Sequence, residues 1–114
     1  MRSDDMEDIL SKPHSFRCSL RLAGKAGHRL RGLLATEPDD EALLLMPCKD
    51  VHTFGMRHDL DVAFVSSEGM ILAIHRNVGP QRRLAHPWAE AVIERFASPE
   101  DPWFTVGDRL HIRP

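Results

Sequence analysis

Apolar and polar side chains alternate strictly through "SFRCSLRLA" (15–23), with Phe16, Cys18, Leu20 and Leu22 set against Ser15, Arg17, Ser19 and Arg21. Period-two alternation is the mark of a half-buried strand. Gly24 and Gly27 then punctuate a turn. Leu30, Leu33 and Leu34 fall at helical spacing and predict a short helix over 28–35, despite Gly32. "TEPDDE" (36–41) is a polar break, and "ALLLMPC" (42–48) is a continuous apolar run stopped by Pro47, as a buried strand would be.

The strongest local signal is a β-hairpin. "LDVAFV" (60–65) and "MILAIH" (70–75) flank "SSEG", a polar turn ending in glycine. With 66–69 as the loop, Val65 is expected opposite Met70 and Asp61 opposite Ile74. One face would carry Asp61, Ala63, Val65, Met70, Leu72 and Ile74. The other would carry Leu60, Val62, Phe64, Ile71, Ala73 and His75. Both faces are mostly apolar, so the ribbon is expected to be covered on both sides, as when a curled sheet also carries a helix.

Residues 77–87 read as a loop with two prolines and paired arginines. Residues 88–96 fit either a helix, through Trp88, Val92 and Phe96, or a strand, through Val92, Glu94 and Phe96. Ser98, followed by Pro99 and two acids, has the signals of a helix start, which Pro102 limits to about one turn. After a turn at Gly107 and Asp108, Leu110 and Ile112 alternate with Arg109, His111 and Arg113 as a final strand. The pattern predicts an α+β fold, a curled, mainly antiparallel sheet that also carries a helix. A flexible leader over 1–14 would precede a single compact domain over 15–114.

Composition narrows the function. A chain of 114 residues can bury roughly two-thirds of its unfolded surface and keep one core. Its net charge of −2 lacks the basic excess of a nucleic-acid binder. No run approaches the ~18 apolar residues of a membrane span, and the start, "MRSDDMEDILSKP", lacks the basic and apolar regions of a signal peptide. A cytoplasmic protein with no nucleic-acid or membrane partner is expected. Only three of its 15 basic residues are Lys, and Arg suits bidentate recognition of carboxylate or phosphate. Cys18 and Cys48 have no C-x-x-C spacing and read as buried thiols, with a disulfide between them the lesser alternative.

The candidate chemistry gathers in "VHTFGMRHDLD" (51–61). Asp61 shares its expected face with five apolar side chains, and a carboxylate withdrawn from water must be paired or hydrogen-bonded. His52, Thr53 and Arg57 are the near candidates for that role, with Arg31 reachable if the helix packs over the hairpin. Two readings follow: a preorganised polar cluster at a pocket mouth, or a structural clasp on the bend at 52–57. His52 and His58, six apart, with Asp59 and Asp61 nearby, lack the compact spacing of a metal motif, and neither metal nor cofactor is expected. Ser66 and Ser67 lie in a hairpin turn rather than a nucleophile elbow. Cys48, four before His52, reads as core rather than as a thiolate partner. Glu94 would be a second acid beside Asp61 only if its segment is a neighbouring strand. Arg76, Arg82 and Arg83 read as solvated loop arginines.

"RGLL" (31–34), an apolar strand ending "PC" (47–48), "VHTFGMR" (51–57), "DVAFV" (61–65), Gly69, "GP" (79–80), Glu94 and "VGDRL" (106–110) together resemble the family labelled domain of unknown function 192 (DUF192), over roughly 16–112. "HTFGM" followed closely by "D-V-x-F" is the specific part of the likeness. The resemblance implies a small, compact, barrel-like β-sheet with one or two short helices, from a group widespread in bacteria and archaea. No activity is established for it; a small-molecule or carbohydrate-binding role has been suggested. Many members carry signal peptides; the start of this sequence, which lacks the basic and apolar regions of one, leads to the expectation of none here. The positions carried over are Arg31, Gly32, His52, Thr53, Met56, Arg57, Asp61, Glu94, Gly107 and Asp108. This chain departs from the pattern in two places. "RFASPEDP" stands where the family has a Leu-Pro-Ala-Gly-like turn, and His58–Asp59 replaces an apolar or proline pair.

The expectation is therefore a non-enzymatic binding or interaction module for a hydroxylated or anionic small ligand, with a carbohydrate among the candidates. Its site would gather His52, Thr53, Met56, Arg57 and Asp61, with Arg31 and Glu94 as outer contacts. Asp61 would orient an arginine and Met56 would form an apolar floor. The rivals are a hydrolase using His52 with Asp61, or a metal, and a structural domain without a ligand.

Overall fold

The computed structural model describes residues 20–23 and 42–110. They form seven strands: β1 (Leu20–Ala23), β2 (Ala42–Leu45), β3 (Asp50–His52), β4 (Leu60–Val65), β5 (Ile71–Val78), β6 (Arg83–Ala85) and β7 (Ala91–Phe96). Five of them make one sheet in the order β1-β2-β7-β4-β5, and β3 pairs with β6 as a separate ribbon. Every pairing is antiparallel except β1 with β2. β7 and its neighbour β4 are buried at all six positions, which explains why both are β-branched and aromatic runs with few polar interruptions.

The sheet is greasy on both faces because each face has its own cover. On one, Leu60, Val62, Phe64, Val92 and Phe96 pack with Val51, Met56 and Val78, and Leu84 joins from the small ribbon. On the other, Ala63, Val65, Ile71, Ala91 and Ile93 pack under Trp103 and Phe104 from the irregular chain after β7. The Trp103 indole N–H donates to the Val62 carbonyl at 3.2 Å, so its one polar atom is satisfied inside the core.

The expected α+β architecture is therefore corrected. Among the described residues there is no helix, and the sheet is open rather than barrel-like or strongly curled. Closure would require β1 to meet β5, and these stand at opposite edges with three strands between them. The two-sided burial that suggested a helix is supplied instead by the β3–β6 ribbon and the 98–110 segment. The helix expected over 28–35, the leader over 1–14 and most of the strand over 15–23 lie outside the described residues. Ser98 closes a turn through the Asp101 N–H at 3.0 Å, without a helix following. Residues 77–87 contain β6, and the ambiguous 88–96 segment is strand from Ala91. The final strand is reduced to a single bridge between Met70 and Arg109, with 111–114 outside the described residues.

The hairpin forms in a shifted register. Ala63 faces Ile74 and Val62 faces His75, while Val65 faces Ile71 and Leu60 faces Val78. Two bulges account for the shift, one opposite Phe64/Val65 and one opposite Asp61. The first moves Ile71 onto the face of Ala63 and Val65, contrary to the simple alternation. In the second, Asn77 takes a left-handed conformation (φ 54°), which Asn tolerates better than most residues.

Candidate functional site

Asp61 is completely buried (0% exposed) on the Trp103 face of the sheet. Its two oxygens accept four hydrogen bonds. Oδ1 takes the backbone N–H of Asn77 at 3.1 Å, the donor that the bulge leaves free of the β4 ladder. Oδ2 takes Arg95 Nε at 3.0 Å, the Ser98 N–H at 3.2 Å and Arg76 Nη2 at 3.4 Å. Asp61 and Arg95 are direct cross-strand partners, and the Arg95 guanidinium lies 4.5 Å from the centroid of the Trp103 ring. Arg76 Nη2 also donates to the carbonyls of Ser98 (2.8 Å) and Asp101 (2.9 Å). Burial alone pushes the Asp61 carboxyl up. The N–H of Asn77, Arg76, the N–H of Ser98 and Arg95 outweigh it, and its pKa lies below the ordinary carboxylate value.

The structure thus places the buried acid where the pattern required it, but its donors differ from those expected. None comes from 51–57: they come from β5, β7 and the turn at 98. Arg76 and Arg95 are the residues the sequence reading missed. A signal for Arg95 did exist, since Glu94 and Arg95 are adjacent within a strand buried at every position. Successive residues of a strand point to opposite faces, so each charge needs a partner on its own face, and Asp61 is the complement of Arg95.

The other expected site residues lie elsewhere. Glu94 (1% exposed) faces Val62 and Leu43 across its strand neighbours, on the face opposite Asp61. Met56 is buried within the first apolar cluster and is a core residue there. His52, half-buried on β3, stacks on the exposed ring of Phe54 at 5.0 Å and 24°. Arg57 is exposed, and Arg31 lies outside the described residues. The sheet therefore divides the expected cluster: the bend at 52–57 and Glu94 fall on one side, Asp61 on the other.

Thr53 (1% exposed) organises that bend. Its Oγ1 donates to the Gly79 carbonyl at 2.7 Å and accepts the Arg82 N–H at 2.8 Å. Its backbone N–H donates to the Arg82 carbonyl at 2.8 Å, and its carbonyl accepts the N–H groups of Met56 (3.2 Å) and Gln81 (3.3 Å). The turn closed by Met56 needs a positive φ at its third residue, which Gly55 supplies at 80°. Gln81 is itself left-handed (φ 60°), a conformation costing about 1–3 kcal/mol that the Thr53 contacts hold in place. The 52–58 bend and the 79–83 loop are thereby fused into one corner. It presents His52, Phe54, Arg57 and Arg82 outward, while Arg83 is turned onto Asp50. Among the described residues, no group of three or more His, Cys, Asp or Glu is placed to hold a metal ion. Among the described residues there is no helix long and apolar enough to cross a membrane.

Comparison with known proteins follows this geometry. The model of the DUF192 family, described as "Uncharacterized ACR", matches residues 9–111. No curated protein matches the sequence. Among solved structures, a Sinorhizobium meliloti protein described as a candidate transcription regulator superposes with a TM-score of 0.66 at 20% identity, covering 79% of this chain and 78% of that one. A Novosphingobium aromaticivorans protein of unknown function superposes with a TM-score of 0.58 at 22% identity, covering 68% of this chain and 62% of that one. At such identities the likeness carries the fold alone.

Proposed function

The chain belongs to the DUF192 family, and from that premise we propose that it is a non-enzymatic small-ligand binding or interaction module. Its recognition surface is the corner formed by the 52–58 bend and the 79–83 loop. The observation that carries this reading is Thr53. A buried threonine making five hydrogen bonds across two loops is a large investment in holding an exposed surface still, and a preformed surface binds at lower entropic cost. The side chains so held include a half-buried histidine stacked on an exposed phenylalanine and two exposed arginines. They suit a hydroxylated or anionic ligand. The expected roles of Asp61 and Met56 in that site are withdrawn, since both are committed to the interior. The hydrolase alternative, with His52 as base and Asp61 as its orienter, is less well supported: the Asp61 oxygens accept from Arg76, Arg95, Asn77 and Ser98.

Glucuronate, which carries both hydroxyls and a carboxylate, is a suitable probe. Titrated into the 15N-labelled protein, it should shift amide resonances of 52–58 and 79–83 saturably, and His52→Ala should weaken the effect without moving the melting temperature by more than about 1 °C. Saturable shifts centred elsewhere, or none at all, would overturn the assignment of the corner.

A further inference from the structure

Resting on that reading of the corner, we infer that its ligand is gripped by an oxyanion, the carboxylate or phosphate group of a small molecule, held between Arg57 and Arg82. Arg76 and Arg95 are committed to Asp61, and Arg83 is committed to Asp50. Arg109 stands at the far end of β5, beside the 66–69 turn. Arg57 and Arg82 remain, both exposed, and among the described residues neither donates to a carboxylate. Both belong to the corner that Thr53 organises: the backbone of Arg82 bonds to Thr53 twice, and Arg57 directly follows Met56, whose N–H closes the Thr53 turn.

This arrangement is unusual for a chain whose net charge is −2. Acids outnumber bases overall, yet among the described residues no acid pairs with either of these two forked cations. Asp59, two positions after Arg57 in the sequence, lies against Gly79 of the same corner. Its own carbonyl accepts the Ala97 N–H from the end of β7. A forked, permanently charged donor pair with a fixed backbone matches the geometry of a carboxylate or phosphate and gives short, charge-assisted hydrogen bonds. The flat His52–Phe54 stack beside it offers an apolar surface for the remainder of the molecule.

Three probes at constant low ionic strength separate this inference from the reading it rests on: inorganic phosphate, glucuronate and glucose, each followed by amide shifts of the full chain. Phosphate and glucuronate should shift the 52–58 and 79–83 amides saturably, and glucose should not. Arg57→Gln and Arg82→Gln should each weaken phosphate binding about tenfold or more, with unchanged amide spectra elsewhere showing that the fold is intact. Asp59→Asn should tighten it about two- to fivefold by removing a negative charge from the corner. Raising the salt should weaken it further. If glucose shifts the corner as strongly as glucuronate and phosphate does not, the oxyanion inference fails while the corner stands. If phosphate binding persists unchanged in both arginine variants, the inference also fails. If no probe moves the corner, both readings fall.

Discussion

At the scale of single residues, Asp61 and His75 show how burial and partners set charge. Asp61→Asn removes an anion that two arginines and two backbone N–H groups converge on. Breaking a buried pair from one side costs about 3–5 kcal/mol, and denaturant unfolding at neutral pH should show a loss of that order. Because the Asp61 pKa is depressed in the folded state, its contribution is complete above the ordinary carboxylate pKa and is lost as pH falls through the folded value. The gap in melting temperature between wild type and Asp61→Asn should therefore be widest near neutrality and close at strongly acidic pH. His75 is lowered first by its burial and second by Arg82. Arg82→Gln should raise the His75 pKa only partway to the ordinary histidine value, as followed by its imidazole resonances. A full return would assign the whole shift to charge and contradict the dominance of burial.

At the scale of elements, what was legible was the existence of the longer strands, and what was not was the two shortest strands and the register and partners of all of them. The β4–β5 hairpin was plain from two apolar runs around "SSEG", since turn chemistry and alternation both act locally. Its bulges were not, because they answer to Asp61 and to the 105–108 turn, neither of which a period-two pattern records. The Ile71 N–H and carbonyl bond to Asp108 and Gly107, at 2.8 Å and 2.9 Å, pinning the start of β5 from outside the hairpin. β6 was hidden by the arginines and prolines around it, and both it and β3 by being three residues long. That Asp61 needed a partner was legible; that Arg95 and Arg76 would be the partners required knowing that β7 lies beside β4. Asn77→Val tests the second bulge. A β-branched residue at that left-handed φ should cost about 1–3 kcal/mol and, by disturbing the Asn77 N–H, lessen the pKa depression of Asp61.

At the scale of the whole molecule, one sheet separates two apolar clusters, and the order of opening should follow that division. β4 and β7, buried throughout and paired on both sides, should show the slowest amide exchange. The β3–β6 ribbon, three residues in each strand and exposed on its outer side, should exchange first. The back of the sheet has a different kind of guard. No second layer of regular structure lies over Ala63, Val65 and Ile93 among the described residues; a strap carrying Trp103 and Phe104 does, fastened by the indole bond to Val62 and by the arginines around Asp61. A strap can lift while the plank beneath it stays whole. Loosening it with Trp103→Ala should yield a protein that keeps its β-sheet circular dichroism yet takes up a hydrophobic dye and self-associates as concentration rises, so that its working lifetime is limited by stickiness before unfolding.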